Sequence, residues 1–165
     1  MVAVPPPTQG YGGRQLRLSN CYMRKEPWMV QNKVGGNRMP ALTHTCLFTN
    51  DVGSLAEFYG SILNLEPTVY GDEYAELATG GGTLSIYSVE AQNALAPGSA
   101  QAGANQSMIL EFQVADVDKE YERLTKRGVP IVKGLTTQEW GNRSFYFRDP
   151  EGNLVNFYTR VGAQA

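Results

Sequence analysis

Two stretches of this chain, 65 residues apart, carry the same pattern. "LTHTCLFTND" (42–51) and "MILEFQVADVD" (108–118) are short β-type runs, and each leads into an aspartate, Asp51 or Asp116, able to cap a helix. After Asp51 the apolar residues Val52, Leu55, Ala56, Tyr59, Ile62 and Leu63 fall at helical spacing. After Asp116 the same offsets place Val117, Tyr121 and Leu124, with Tyr121 matching Ala56 and Leu124 matching Tyr59. Both helices stop at a residue suited to the left-handed region, Asn64 and Gly128. Three candidate strands follow each helix, at about 66–72, 74–79 and 83–89, then at about 130–138, 143–148 and 153–160. The sequence is a duplication of a β-α-β-β-β unit. A four-stranded sheet with one helix on one face leaves its other face open. Two such sheets set edge to edge curl into a concave cup, an α+β architecture with a ready binding surface.

Length and charge narrow the function classes. At 165 residues, 42% apolar and 18% charged, this is an ordinary globular domain or two small halves sharing a core. No stretch approaches the roughly 20 apolar residues of a membrane span, and "MVAVPPPTQGYGG" lacks the apolar run of a secretory signal. Two cysteines, Cys21 and Cys46, form no disulfide framework, so a cytoplasmic location is expected. Residues 1–38 carry a net charge of +5 and the remainder −7. An acidic globular part speaks against nucleic acid as a partner, because phosphate contacts need clustered Lys and Arg.

Residues 1–38 are rich in Pro, Gly, Gln and Asn without a sustained apolar period, so they read as an extension outside the core. The patterned domain is then 39–165, with module one at 41–90, a low-complexity Ala/Gly/Gln linker at 91–106 and module two at 107–160.

Period-2 alternation sorts the strand residues onto faces. His44, Cys46 and Phe48 share one face of the first strand, and Ile109, Glu111 and Gln113 share the matching face in the second copy. Glu76 lies opposite Ala75 and Leu77, Ser85 and Tyr87 opposite Leu84 and Ile86, and Asn156 and Tyr158 opposite Val155 and Phe157. His44, Glu76, Ser85, Tyr87, Glu111, Gln113, Asn156 and Tyr158 are therefore expected to line the cup. Glu111 is the most informative of these, because a carboxylate within an apolar β-run needs solvent or a partner. It can face a cationic ligand group, act as a general base, or pair with Arg143 or Arg148. His44, the only histidine, is either a hydrogen-bonded wall residue or an acid/base group. Cys46 reads as a small apolar filler. In "EWGNRSF" (139–145), Trp140 offers a stacking face and Arg143 a forked donor, which places both at the rim of the cup. "GGG" (80–82) is a hairpin and not a phosphate loop, since no helix follows it.

"THTCLFTNDVGSLAEFYGSILNL", "YAELATGGGTLSIYS" and "FRDPEGNLVNFY" resemble the vicinal oxygen chelate superfamily of glyoxalase I, extradiol dioxygenases, fosfomycin resistance enzymes and bleomycin resistance proteins. The resemblance implies a metal site with ligands on the first and last strand of each module. Those positions are His44 and Ser85 in module one, Ile109 and Asn156 in module two. Ile109 has no donor atom, and Ser85 and Asn156 are poor ligands for a transition metal. No metal and no cofactor is therefore expected. The reading that follows is a small-molecule binding cup, acting as a homodimer. The alternative is a lyase, isomerase or dioxygenase with a rearranged metal or acid/base site built from His44, Glu76 and Glu111. A third reading makes the chain a subunit or regulator with a vestigial cup.

Overall fold

A computed structural model of the chain describes residues 41–162. The expected extension 1–38 lies outside the described residues. The element order is β1 (His44–Thr49), α1 (Val52–Leu63), β2 (Thr68–Tyr70), β3 (Tyr74–Ala78), β4 (Thr83–Ser88), α2 (Val89–Leu95), β5 (Ile109–Gln113), α3 (Val117–Lys126), β6 (Ile131–Thr137), β7 (Asn142–Arg148) and β8 (Leu154–Arg160). The strands form two four-stranded sheets, in the orders β1-β4-β3-β2 and β5-β8-β7-β6. In each the first strand runs parallel to the last, and the other neighbours are antiparallel. The fold is α+β, two β-α-β-β-β modules in one chain.

The helices start and stop where their capping chemistry directs. Asp51 accepts from the Ser54 amide at 2.9 Å, and Asp116 from the Lys119 amide at 3.1 Å. The first helix ends on Asn64, held in the left-handed region at φ 54. Beyond Arg127, the second is terminated by Gly128 at φ 76. Buried Leu55, Ala56, Tyr59 and Ile62 turn α1 toward Ala75, Leu77, Leu84 and Ile86 of its sheet. In module two, Val117 and Leu124 of α3 share the core with Leu110, Phe145, Phe147, Val155 and Phe157. Phe157 meets Phe147 edge-on, with ring centroids 5.1 Å apart. One continuous apolar cluster joins both modules. Each large side chain fully buried in it contributes about 1.5–3 kcal/mol of transfer free energy.

Two expectations need correction. The linker opens with a helix: Ser88 caps α2 through the Ala91 amide, and Ala91 is buried. "VEAQNAL" combines good helix formers with that cap, and the Ala/Gly/Gln composition conceals both. The strand expected over 66–72 is limited to Thr68–Tyr70. Pro67 precedes it without a donor, and Gly71 turns the chain at φ 64. Among the described residues, no helix is long and apolar enough to cross a membrane.

Candidate functional site

The face of sheet one turned away from α1 carries the polar residues of module one. Cys46, Ser85 and Glu76 sit side by side across β1, β4 and β3, and Phe48, Tyr87 and Tyr74 form the next row. The Tyr74 phenol donates to Glu76 Oε1 at 2.8 Å and lies 2.9 Å from Ser85 Oγ. His44 Nε2 stands 4.0 Å from the same Glu76 oxygen, and its Nδ1 is 2.9 Å from Thr43 Oγ1. Desolvation pushes the Tyr74 phenol well above its ordinary range, with Glu76 adding in the same direction and Ser85 opposing. Tyr74 is thus held as a neutral donor. Aromatic rings line this face, with Phe48–Tyr87, Tyr87–Tyr74 and Tyr74–Tyr70 centroids 6.3, 5.8 and 5.7 Å apart. Cys46, expected as a buried filler, is exposed. Its strand is the edge of the sheet, so among the described residues no further strand pairs with it on that side.

Sheet two presents a simpler pair. Glu111 and Asn156 are register partners on β5 and β8, and Asn156 Nδ2 donates to Glu111 Oε1 at 2.8 Å. Glu111 is exposed, whereas Asn156 is only 3% exposed and its Oδ1 has no hydrogen-bond partner among the described residues. Tyr146 flanks Asn156 on β7, with the Lys133 ammonium 5.5 Å from its ring centre. Tyr158 follows on the same face, beside Gln113 and Ser144.

The arginine expectations are not met. Arg143 has the parity of the buried Phe145 and Phe147, so its side chain lies on the face opposite Glu111 and Asn156. There it grips Asp118 in the first turn of α3 with two bonds, at 2.8 and 2.7 Å. Arg148 donates to the Gly152 carbonyl at 2.6 Å. Neither pairs with Glu111. Trp140 is 68% exposed in the turn between β6 and β7.

A groove of about 700 Å³ brings parts of the two modules together. Both β1 and β5, edge strands of their own sheets, line it, along with the β3–β4 hairpin. His44, Ile109, Glu111 and Gln113 reach it; Glu76, Ser85, Tyr87, Trp140, Arg143, Asn156 and Tyr158 are not among its lining residues. Sequence reasoning missed Leu42, Met108 and the hairpin residues 79–82 as walls. It also missed Tyr74 as the link between Glu76 and Ser85. Its parity placed Tyr74 beside Glu76, which was the available signal.

The sequence model of the Glyoxalase/Bleomycin resistance protein/Dioxygenase superfamily matches residues 41–157, and so spans both modules. The chain belongs to this superfamily. The uncharacterized protein YraH of Bacillus subtilis (strain 168) is 32% identical over 118 residues, covering 68% of this chain and 92% of that protein. The metallothiol transferase FosB of Shouchella clausii (strain KSM-K16) is 26% identical over 127 residues, 74% of this chain and 82% of that protein. Among solved structures, a glyoxalase/bleomycin resistance protein/dioxygenase family enzyme from Burkholderia phytofirmans PsJN superposes with a TM-score of 0.66 at 19% identity, covering 74% of this chain and 100% of that one. A relative from Nocardioides gives 0.64 at 21%, covering 76% and 87%.

The superfamily's metal site finds no matching donor set here. Of the four expected ligand positions, only His44 offers a strong donor. Ile109 offers none, the Ser85 hydroxyl is engaged with Tyr74, and the Asn156 amide nitrogen is turned onto Glu111. Among the described residues, no group of three or more His, Cys, Asp or Glu is arranged to hold a metal ion. What these side chains can do without a metal is accept and donate hydrogen bonds, and exchange protons through His44, Glu76 and Glu111.

Proposed function

We propose that the chain is a small-molecule binding protein of the superfamily that works without the usual metal. One observation carries this reading: at the position of a carboxylate ligand, Asn156 donates its amide to Glu111 at 2.8 Å. A metal-binding carboxylate there would meet Glu111 as a like charge. The ligand seats in the groove between β1 and β5, walled by His44 and Glu111. Elemental analysis of the purified protein tests the metal half, with less than about 0.1 transition metal per chain expected. One metal per chain, lost in His44→Ala, overturns it.

A second reading is supported by the contact between His44 Nε2 and Glu76 Oε1 at 4.0 Å, beside the Tyr74 phenol. In it, His44 and Glu76 exchange a substrate proton, as a metal-free lyase or isomerase requires. The relationship to a metallothiol transferase favours an enzyme of some kind. A pH-dependent turnover abolished by both His44→Ala and Glu76→Gln would select this reading. The proposed assembly is a cytoplasmic homodimer, supported by the outer edge strands β2 and β6, where Val69 and Val132 are exposed. Light scattering that gives only an 18.1 kDa species at micromolar concentration refutes the dimer.

A further inference from the structure

The groove runs between strand edges rather than over one face of a sheet. Residues of both parities line it: His44, Glu111 and Gln113 from the open faces, Thr45, Leu110 and Phe112 from the faces turned to the helices. A hollow on a single face would draw on one parity alone. In a strand, each residue turns its N–H and C=O to the same side, and its neighbours turn theirs to the other. The Val114 N–H donates to the Tyr158 carbonyl at 2.9 Å, so Val114, Phe112 and Leu110 turn their backbone groups to β8. Ile109, Glu111 and Gln113 therefore turn theirs to the outer edge of β5, and all three line the groove. Among the described residues, β8 is the only strand paired with β5, and none receives those groups. An unpaired edge of this kind is a template for another strand. The β3–β4 hairpin that walls the groove is bare where the fold makes no such demand. Neither Gly80 nor Gly81 has a positive φ, and nothing lies within 4 Å of where a Cβ would stand. Glycine at such positions leaves room for a close approach from outside the chain.

We propose that the groove binds a short extended peptide, or a ligand with a peptide-like amide backbone, as an added strand on the outer edge of β5. The inference rests on the small-molecule reading above and adds the ligand class. Along one edge of an extended peptide, N–H and C=O groups recur at every second residue. That spacing matches the groups of Ile109, Glu111 and Gln113, so each finds a partner. The ligand's side chains then alternate between two surroundings, apolar beside Leu110 and Phe112, polar beside Glu111 and Gln113. A peptide of alternating apolar and polar residues fits both. About five residues, at ~3.3 Å each, cover the strand.

The full-length protein would be titrated with acetyl-Thr-Val-Thr-Val-Thr-amide and with two isomers, N-methylated on all the threonines or on all the valines. The three share their side chains, and each isomer lacks the donors of one edge. Two signals follow binding: hydrogen exchange at the Ile109, Glu111 and Gln113 amides, and the imidazole resonance of His44, the single histidine. At saturation the parent peptide should slow exchange at those three amides by about tenfold or more. Leu110, Phe112 and Val114, already turned to β8, should not change. At least one isomer should bind about tenfold or more weakly, the scale of one or two backbone hydrogen bonds. Ile109→Pro removes a donor at the first residue of the strand, where proline is tolerated, and should weaken the parent peptide by about threefold or more. An unchanged thermal midpoint shows that this loss is not a loss of fold, and the isomers decide without the variant should it fail to fold. Equal binding of both isomers and the parent, or saturation without slowed exchange, overturns the added strand and leaves the groove as the ligand site. A His44 resonance moved by indole but not by millimolar peptide does the same. A resonance moved by neither overturns the strand and the groove reading together.

Discussion

Tyr59 donates a 2.7 Å hydrogen bond to Asp149 Oδ2, joining helix α1 of module one to the β7–β8 turn of module two. Both residues are buried, and Asp149 also accepts from the Asn153 amide and side chain, at 2.7 and 2.8 Å. Three donors thus converge on one carboxylate. Tyr59→Phe removes one of them and should cost about 1–3 kcal/mol. Asp149→Ala strands all three and should cost more. Urea unfolding with unchanged slopes would measure both, and a neutral Asp149→Ala would deny the turn its role in joining the modules.

The same phenol sets an alkaline limit. Burial first, then the Asp149 charge and the bond to it, push Tyr59 well above its ordinary range. An unfolded tyrosine ionises near pH ~10, so above that the unfolded state sheds a proton that the folded state keeps. The contribution is complete below ~10 and is lost as pH rises toward the folded value. Stability should fall by up to about 1.4 kcal/mol per pH unit for this group, and Tyr59→Phe should flatten the decline. An identical alkaline slope in the variant would contradict this assignment.

Arg123 closes the far end of α1. Its guanidinium donates to the Ser61 and Ile62 carbonyls at 3.0 and 2.6 Å, and Glu120 holds it in place. Carbonyls in the last turn of a helix have no partner within it, so the arginine satisfies them from the other module. Arg123→Ala should cost about 1–3 kcal/mol, and Arg123→Lys should recover little, since one ammonium cannot reproduce a planar fork. Arg127, exposed and bonded to Ser61 Oγ at 2.9 Å, should cost under about 0.5 kcal/mol when truncated.

The duplication made the fold legible. Asp51 and Asp116 announce the helix starts, Asn64 and Gly128 their ends, and the alternation of Leu84, Ile86, Val155 and Phe157 fixes which faces are buried. Parity therefore placed Glu111 beside Asn156 on the open face, yet it could not say which residues of a face the groove between the modules admits. That depends on how two sheets meet, which no local period encodes. Arg143 shows the same limit: its forked donor suggests a rim, while its parity on β7, shared with Phe145 and Phe147, aims it at Asp118 on α3. Helix α2 was hidden by composition, because Ala-rich segments suit both linkers and helices.

The Glu111–Asn156 pair makes a prediction in which the more conservative change does more harm. Asn156→Asp preserves shape but replaces a 2.8 Å hydrogen bond with two facing carboxylates, one of them buried. At neutral pH this should cost about 2–3 kcal/mol. Like-charge repulsion raises the pKa of one of the two groups in the folded state, so the unfolded chain gives up its proton first as pH rises. Stability relative to the parent should then recover as pH falls through the raised value. Asn156→Leu removes the amide together with its unpartnered Oδ1, and leaves Glu111 free to be hydrated at the surface. The lost hydrogen bond and the removed orphan acceptor offset each other, so the change should lie within about 1 kcal/mol of the parent. Denaturant midpoints for the three proteins across mildly acidic to neutral pH decide the matter. Should leucine prove costlier than aspartate at neutral pH, Asn156 Oδ1 must have a donor in solution.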